Sequence, residues 1–292
     1  MSQPVALVTG GGSGIGLAVT EHLINFHGYR VAVLDINAER GKAEVARLNA
    51  SADNCLFLHV DVTSYDQQAQ AFKQTYEWGG NRLDLFFANA GIGDTDSIYK
   101  NLCGVDEATG LPKPLHLTCL DVNLNAVLQG IHLARHFFQL RGKGGKIVIT
   151  ASCVGVYHLH AAPQYTASKY GLVGLVRATA PVFASLNPPI TINALLPTLL
   201  ETNIIPASVR PLWDREGFTP LSTACEAFDV FLTTGSMTGQ TVELCKDELV
   251  FSRQKEYATA NSRWMCEETR LWEMVCEPLL PKPVGENYTV LE

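Results

Sequence analysis

Eight residues, Thr9-Gly10-Gly11-Gly12-Ser13-Gly14-Ile15-Gly16, lie between the all-apolar run Val5 to Val8 and a stretch of helical spacing from Ile15 to Phe26. An all-apolar run this short suits a strand covered on both faces, as in a parallel sheet. Gly10 permits a tight turn off that strand. Gly14 lets the backbone approach a pyrophosphate, and Gly16 lets the helix pack close to the sheet. The free N–H groups at the helix start favour phosphate charge. Gly10, Gly12, Ser13, Gly14, Ile15 and Gly16 are therefore read as the cradle of a dinucleotide.

The same alternation continues along the chain. Apolar runs at Arg30 to Leu34, Cys55 to Val60, Leu83 to Ala88, Lys146 to Ala151 and Thr191 to Leu196 read as strands, and Met237 to Leu244 resembles the last strand of such a fold. Helical spacing fills the intervals at Asn37 to Ala50, Ser64 to Trp78, Leu120 to Leu140, Gln164 to Ala184 and Leu221 to Phe231, with Pro181 expected to kink or stop its helix. The pattern predicts a Rossmann-type α/β domain, a doubly wound parallel sheet of about seven strands. Asp35 ends the second strand, 19 residues after Gly16. A carboxylate there accepts from the adenosine ribose hydroxyls and repels a 2′-phosphate, which favours NAD over NADP. Asp35 could instead only cap the next helix, and Arg40 is the one nearby cation that weakens the NAD reading.

Tyr165 and Lys169 stand four apart on a predicted helix, hence on one face. A cation there favours the phenolate and lowers the tyrosine pKa from its free value of about 10. A tyrosine so tuned exchanges a proton with an alcohol near neutral pH. Ser152 follows the run Lys146 to Ala151, at the strand edge where open α/β sheets bind ligands. Tyr-x-x-x-Lys alone also describes a surface pair, so the weight comes from order. The chain runs through the glycine turn, Asp35, Asn89-Ala90-Gly91, Asn123 and Ser152, and reaches Tyr165 thirteen residues after that serine.

This ordered set, over about residues 4 to 244, resembles the short-chain dehydrogenase/reductase family, whose Gly-x-x-x-Gly-x-Gly spacing it shares. The pairing of Asp35 with Thr150-Ala151-Ser152, and a tail carrying Trp and Tyr, looks most like NAD-dependent members of the 15-hydroxyprostaglandin dehydrogenase type. The resemblance implies Asn123, Ser152, Tyr165 and Lys169 as catalytic residues. Tyr165 would be the general acid/base, and Lys169 would tune it and bind the nicotinamide ribose. Ser152 would bond the reacting oxygen, and Asn123 would hold a water in a relay to Lys169. A helix-interior asparagine also reads as a solvated or locally bonded side chain. The resemblance further implies that Asp61 and Val62 line the adenine, and that Asn89 steadies the sheet while Asn89, Ala90 and Gly91 lie along the cofactor. Pro197 and Thr198 complete the cofactor set with Thr202, whose hydroxyl would reach the nicotinamide amide.

Three stretches depart from the family. Residues 92–117 carry an insertion around Cys103 to Pro114, either shaping the substrate mouth or forming a surface excursion. Thr198 stands where members usually have Gly. Beyond Leu244 lies an extension, residues 245–292, expected to pack on the domain formed by residues 1–244. Its Trp264, Leu271, Trp272, Val275 and Leu279 share a helical face over Arg263 to Leu280, which would cover the pocket, contact another subunit or pack on the core. Glu201 to Thr223 holds Ile204, Ile205, Pro206, Pro211, Leu212 and Trp213. It reads as a substrate loop for a large apolar molecule, or as core packing.

A formal charge of −7 argues against nucleic acid or an anionic membrane as partner. No apolar run approaches the ~20 residues that span a bilayer. Met1-Ser2-Gln3-Pro4 leads into the first strand without a signal region, so a cytoplasmic location is expected. The eight Cys are scattered without Cys-x-x-Cys spacing, and no His cluster offers zinc ligands. Reduced thiols and no metal are expected. Dimers or tetramers follow from the family's habit. The expected activity is NAD-dependent interconversion of a secondary alcohol and a ketone on a bulky apolar small molecule of secondary metabolism. A net non-redox reaction with bound NAD, such as isomerisation or dehydration, and a non-catalytic NAD-binding regulator stay open.

Overall fold

The computed structural model describes residues 3–50, 52–100, 102–200, 202, 204, 217–268 and 276. In chain order the first half runs β1 (Val5–Thr9), α1 (Gly14–His27), β2 (Arg30–Asp35), α2 (Ala38–Leu48), β3 (Cys55–His59), α3 (Tyr65–Trp78) and β4 (Leu85–Ala88). The second half runs α4 (Thr118–Leu120), a π-helical turn (Asp121–Asn125), α5 (Ala126–Arg141), β5 (Gly145–Thr150), α6 (Pro163–Ala184), β6 (Ile190–Pro197), α7 (Leu221–Thr233), β7 (Thr241–Cys245), β8 (Glu248–Phe251) and α8 (Ala260–Glu267).

Among the described residues the strands form one sheet in the order β3-β2-β1-β4-β5-β6-β7-β8. β1 through β7 are parallel. The order reverses between β1 and β4, so their C-terminal ends diverge into a crevice. The glycine turn leaves β1 there and Asn89-Ala90-Gly91 leaves β4. β4 explains why its run is apolar throughout. Phe86 packs edge-on against Phe72 on one face of the sheet, and its neighbour Phe87 packs against Phe228 on the other. These rings belong to fully buried layers on either side of the sheet. Burying one such ring contributes roughly 2–3 kcal/mol.

The expected seven strands become eight. β8 returns antiparallel to β7 through Lys246 and Asp247, with Lys246 at φ 55°. A Lys-Asp turn lacks the Asn-Gly or Asp-Gly pair that marks a hairpin in sequence. Tertiary bonds hold it instead: Thr219 Oγ1 accepts from the Lys246 N–H at 2.8 Å, and the Thr223 hydroxyl donates to the Lys246 carbonyl. Pro181 lies in the last turn of α6, which runs on to Ala184 before ending. The predicted continuous helix from Leu120 is broken by the π turn that carries Asn123. In the extension, Trp264 on α8 is 54% exposed rather than packed. Leu271, Trp272, Val275 and Leu279, like residues 205–216 of the expected substrate loop, lie outside the residues whose side chains are described.

Burial makes the fold sensitive to alkaline pH. It pushes the Cys55 thiol, also near Asp53, up to about 12, and the Cys119 thiol, also near Asp94, up to about 11. Burial, with the charge of Asp84, raises Tyr29 to about 12. The folded chain holds these protons where an unfolded chain has released them. Their stabilisation is therefore complete below the free thiol value of 9.0 and is lost as pH rises toward 12. Lys169, pushed down to about 8 by burial, and Lys146, also lowered by burial, act in the opposite sense, while Cys225, raised to about 11, adds to the thiols. In reducing buffer the thermal midpoint is expected to fall between pH ~9 and ~11. A constant or rising midpoint over that interval would contradict this account.

Candidate active site

The glycine turn is shaped by close approach. Gly10 and Gly14 have φ of +64° and +53°, which glycine adopts without strain. A Cβ on Gly16 would lie 2.3 Å from the Gly10 carbonyl oxygen, and one on Gly12 would lie 2.8 Å from Asp35 Oδ2. Ser13 precedes α1 in extended conformation without a side-chain cap, and the first turn of α1 holds no acidic residue. The helix N-terminus, which includes Ile15, is thus left to an external anion. This cradle fits the pyrophosphate of a dinucleotide. The Thr202 methyl lies against Gly14, at 3.2 Å from the position of an added Cβ.

Asp35 is buried at the end of β2. Its Oδ2 accepts from the Gly12 N–H at 3.0 Å, and its Oδ1 accepts from the Asn37 N–H at 2.9 Å. Arg40 Nη2 stands 3.7 Å from Oδ1, while Arg40 Nε is buried without a partner. The helix cap itself is Asn37, whose side chain accepts from the Arg40 N–H, so Asp35 is not the capping residue. Beyond the end of β3, Asp61 accepts from the N–H and hydroxyl of Thr63, and Val62 sits half-buried beside it.

Asn89 ties three strands. Its amide donates to the carbonyls of Thr9 and Gly10 at 3.1 and 3.2 Å, and its Oδ1 accepts from Thr150 Oγ1 at 3.0 Å. The Thr9 hydroxyl accepts in turn from the N–H groups of Asn89 and Ala90. Gly91 leaves room for two of the predicted side chains. An added Cβ there would meet Asn123 Oδ1 at 3.3 Å and Lys169 Nζ at 3.6 Å.

Ser152, Tyr165, Lys169 and Asn123 converge beyond β4 and β5. Ser152 acts on the Tyr165 hydroxyl, lowering its pKa against the effect of burial. Ser152 Oγ also accepts from the Val154 N–H at 3.2 Å and reaches the Pro197 carbonyl at 3.5 Å. Lys169 Nζ donates to the Thr150 carbonyl at 2.8 Å and lies 5.4 Å from the Tyr165 ring centroid. The π turn aims the Asn123 amide at Ile92, with Nδ2 donating to its carbonyl and Oδ1 accepting from its N–H, each at 2.9 Å. π turns of this kind recur where a side chain is re-aimed at a functional place. Nδ2 also lies 3.2 Å from Ser168 Oγ.

The expectation that Lys169 depresses Tyr165 meets a difference. Burial raises the Tyr165 pKa above 10.0, with Ser152 opposing. Lys169 turns its ammonium toward Thr150 and the ring face rather than the hydroxyl. Its own pKa falls to about 8 because burial penalises the cation.

Thr198 shows why the missing family glycine is tolerated. It is absent from the positive-φ positions of the described residues, so its backbone needs no glycine. Its hydroxyl donates to the Leu244 carbonyl at 2.6 Å, which turns it toward β7 rather than the crevice.

One residue escaped the sequence reading. Asp94, in the link after β4, accepts from the Gln164 N–H at 3.1 Å and the Tyr165 N–H at 2.5 Å. These are first-turn donors of α6, which begins with Pro163 and has no cap from Ala162. Tyr99 adds a bond from the same link, its hydroxyl donating to the His160 carbonyl at 2.9 Å. The link after β4, ahead of its insertion, therefore touches the segment that presents Tyr165. Asp94→Ala is expected to cost about 1 kcal/mol of unfolding free energy, and Asp94→Asn less, by chemical denaturation. Equal stability in all three proteins would refute the capping role.

The short chain dehydrogenase family profile matches residues 4–211. The short-chain dehydrogenase/reductase prx6 of Penicillium rubens is 33% identical over 247 residues, covering 82% of this chain and 79% of its own. The human 15-hydroxyprostaglandin dehydrogenase [NAD(+)] is 31% identical over 205 residues, covering 69% and 70%. Among solved structures, a variant of actinorhodin polyketide ketoreductase with NADPH superposes with a TM-score of 0.69 at 26% identity, covering 84% of this chain and 96% of that one. A short-chain type dehydrogenase/reductase from Mycobacterium marinum superposes with a TM-score of 0.71 at 22% identity, over 84% and 95%, a likeness of fold. With the profile spanning most of the chain, this protein belongs to the short-chain dehydrogenase family.

Proposed function

We propose that the protein is an NAD-dependent oxidoreductase that interconverts a secondary alcohol and a ketone on a bulky, apolar small molecule of secondary metabolism. The observation that carries this reading is the gathering of Ser152, Tyr165, Lys169 and Asn123 beside the glycine cradle. The bound nicotinamide supplies the hydride acceptor or donor. Ser152 holds the reacting oxygen against the Tyr165 hydroxyl, and Tyr165 passes the proton. Its raised pKa keeps the proton-donating form, which serves ketone reduction directly. Alcohol oxidation needs the Tyr165 phenolate, which burial disfavours and Ser152 favours. Asn123 clasps the link after β4 to the π turn before α5 and so holds Gly91 beside Lys169.

The apolar substrate is supported by the insertion. Ile98, Leu102 and Leu111 are more than half exposed on a link that contacts the Tyr165 segment through Asp94 and Tyr99. The ketoreductase relative is named for a polyketide, a bulky ketone. NAD is supported by the Asp35 carboxylate at the end of β2 and by the NAD named for the prostaglandin dehydrogenase relative. NADP is the second reading, favoured by Arg40 at 3.7 Å from Asp35 and by the NADPH of the ketoreductase.

NADH and NADPH fluorescence with a panel of bulky secondary alcohols and ketones tests both readings. Tyr165→Phe is expected to lose at least ~100-fold in turnover while still binding NAD. Near-normal turnover would remove Tyr165 from its role, and product formation without net NADH would favour isomerisation or dehydration. Asp35→Ala is expected to shift kcat/KM from NAD toward NADP by about tenfold, roughly 1.4 kcal/mol. An unchanged ratio would leave Arg40 as the residue that sets cofactor choice.

A further inference from the structure

Away from the dehydrogenase chemistry, the end of α1 meets α7 through three side chains that the reading above does not use. His22 Nε2 and His27 Nε2 each lie 2.6 Å from the same oxygen, Asp229 Oδ1. The ligating atoms of all three residues lie within 4.8 Å of one another. The two imidazole rings stand edge to face with centroids 5.2 Å apart, and Phe26 lies against His22 at 4.9 Å. The histidine side chains are 16% and 23% exposed and the aspartate 44%, so the rings are held while one side stays open to water.

We propose that His22, His27 and Asp229 form a binding site for a divalent transition-metal ion of the zinc type, which fastens the C-terminal end of α1 to α7. Two imidazole nitrogens and a carboxylate oxygen match the donor set such ions prefer, with water completing the shell. Bonds of about 2.0–2.1 Å to a tetrahedral ion separate neighbouring ligand atoms by ~3.3 Å. Asp229 has to withdraw by ~0.7 Å from each ring nitrogen, and the two Nε2 atoms have to settle at the same ~3.3 Å spacing, to admit the ion. Each neutral ring then carries its single proton on Nδ1 and turns a lone pair of Nε2 to the metal. The electrostatic surroundings are favourable. Glu21 and Glu226 act with Asp229 on Cys225, one turn before Asp229 on α7, so the seam between the helices is acidic. Glu21 is itself engaged by Arg47.

Local spacing could not disclose this group. The histidines are five apart, which is not the four of a helical face, and Asp229 enters from 202 residues downstream of His27. The ligands come together only when α7 packs on α1.

The test uses the full chain, stripped of metal and kept reduced, titrated with Co²⁺ and followed by absorption. The expected result is one equivalent bound with ligand-field bands and no thiolate charge-transfer band, since the ligands are nitrogen and oxygen. Uptake should vanish in the His22→Gln/His27→Gln double variant and weaken at least about tenfold in Asp229→Asn, which keeps shape and packing. Circular dichroism confirms that each variant is folded. Zn²⁺ at ~100 times its dissociation constant should raise the wild-type thermal midpoint by on the order of 5 °C and leave the double variant unmoved. No uptake, uptake through thiolates, or equal uptake in the folded double variant would each overturn the proposal. In those cases the cluster is a pair of imidazole–carboxylate hydrogen bonds and nothing more.

Discussion

The crevice depends on a small knot of hydrogen bonds around Asn89 and Thr9. Parallel strands diverge where their order reverses, and nothing in the sheet ladder itself fixes how far the ends of β1 and β4 part. The Asn89 amide spans that gap to the β1 carbonyls, and its oxygen takes the hydroxyl of Thr150 at the end of β5. Every partner is a short polar group or backbone carbonyl at a strand end, in a setting where an unmade bond costs about 1–3 kcal/mol. The knot thus sets the distance between the glycine turn and the segment that bears Ser152, which follows Thr150 by two residues.

A second dependence runs along α6. Its first turn is held from outside by Asp94, and one turn further the buried Lys169 is fixed by the Thr150 carbonyl. Tyr165 lies at the first of these restraints, its N–H donating to Asp94, one turn before Lys169. The helix is therefore anchored to the link after β4 and to the end of β5. Rotation of α6 about its axis would break bonds at both places together. Burial of Lys169 has an electrostatic cost, visible in its depressed pKa, and the same burial raises the pKa of Tyr165.

Much of this was legible in the sequence. The apolar runs and glycine spacing disclosed β1, the turn and α1 nearly to the residue, because a doubly covered strand and a close-packed helix leave little choice of side chain. Tyr165, Lys169 and Ser152 were legible through helical periodicity and strand ends. What stayed hidden depends on contacts remote in sequence. The π turn at Asn123 has no local signature, since it arises from the pull of the Ile92 backbone. β8 hangs on a Lys-Asp turn secured by Thr219 and Thr223. Asp94 looks like any loop aspartate until α6 arrives above it, and the His22, His27 and Asp229 group assembles only across two helices.

The insertion after β4 is built in two parts. Its tip closes on itself: Val105 pairs with Pro112, the Asp106 N–H donates to the Leu111 carbonyl, and the Lys113 N–H donates to the Gly104 carbonyl. Its base is gathered by the buried Asp96, which takes the Cys103 thiol and the His116 N–H. Asp94 and Tyr99, the side chains that reach the Tyr165 segment, lie before the tip. The tip can therefore be lengthened, shortened or exchanged while the cap on α6 stays in place. Such an arrangement separates the part of the link that can vary from the part that holds the helix bearing Tyr165.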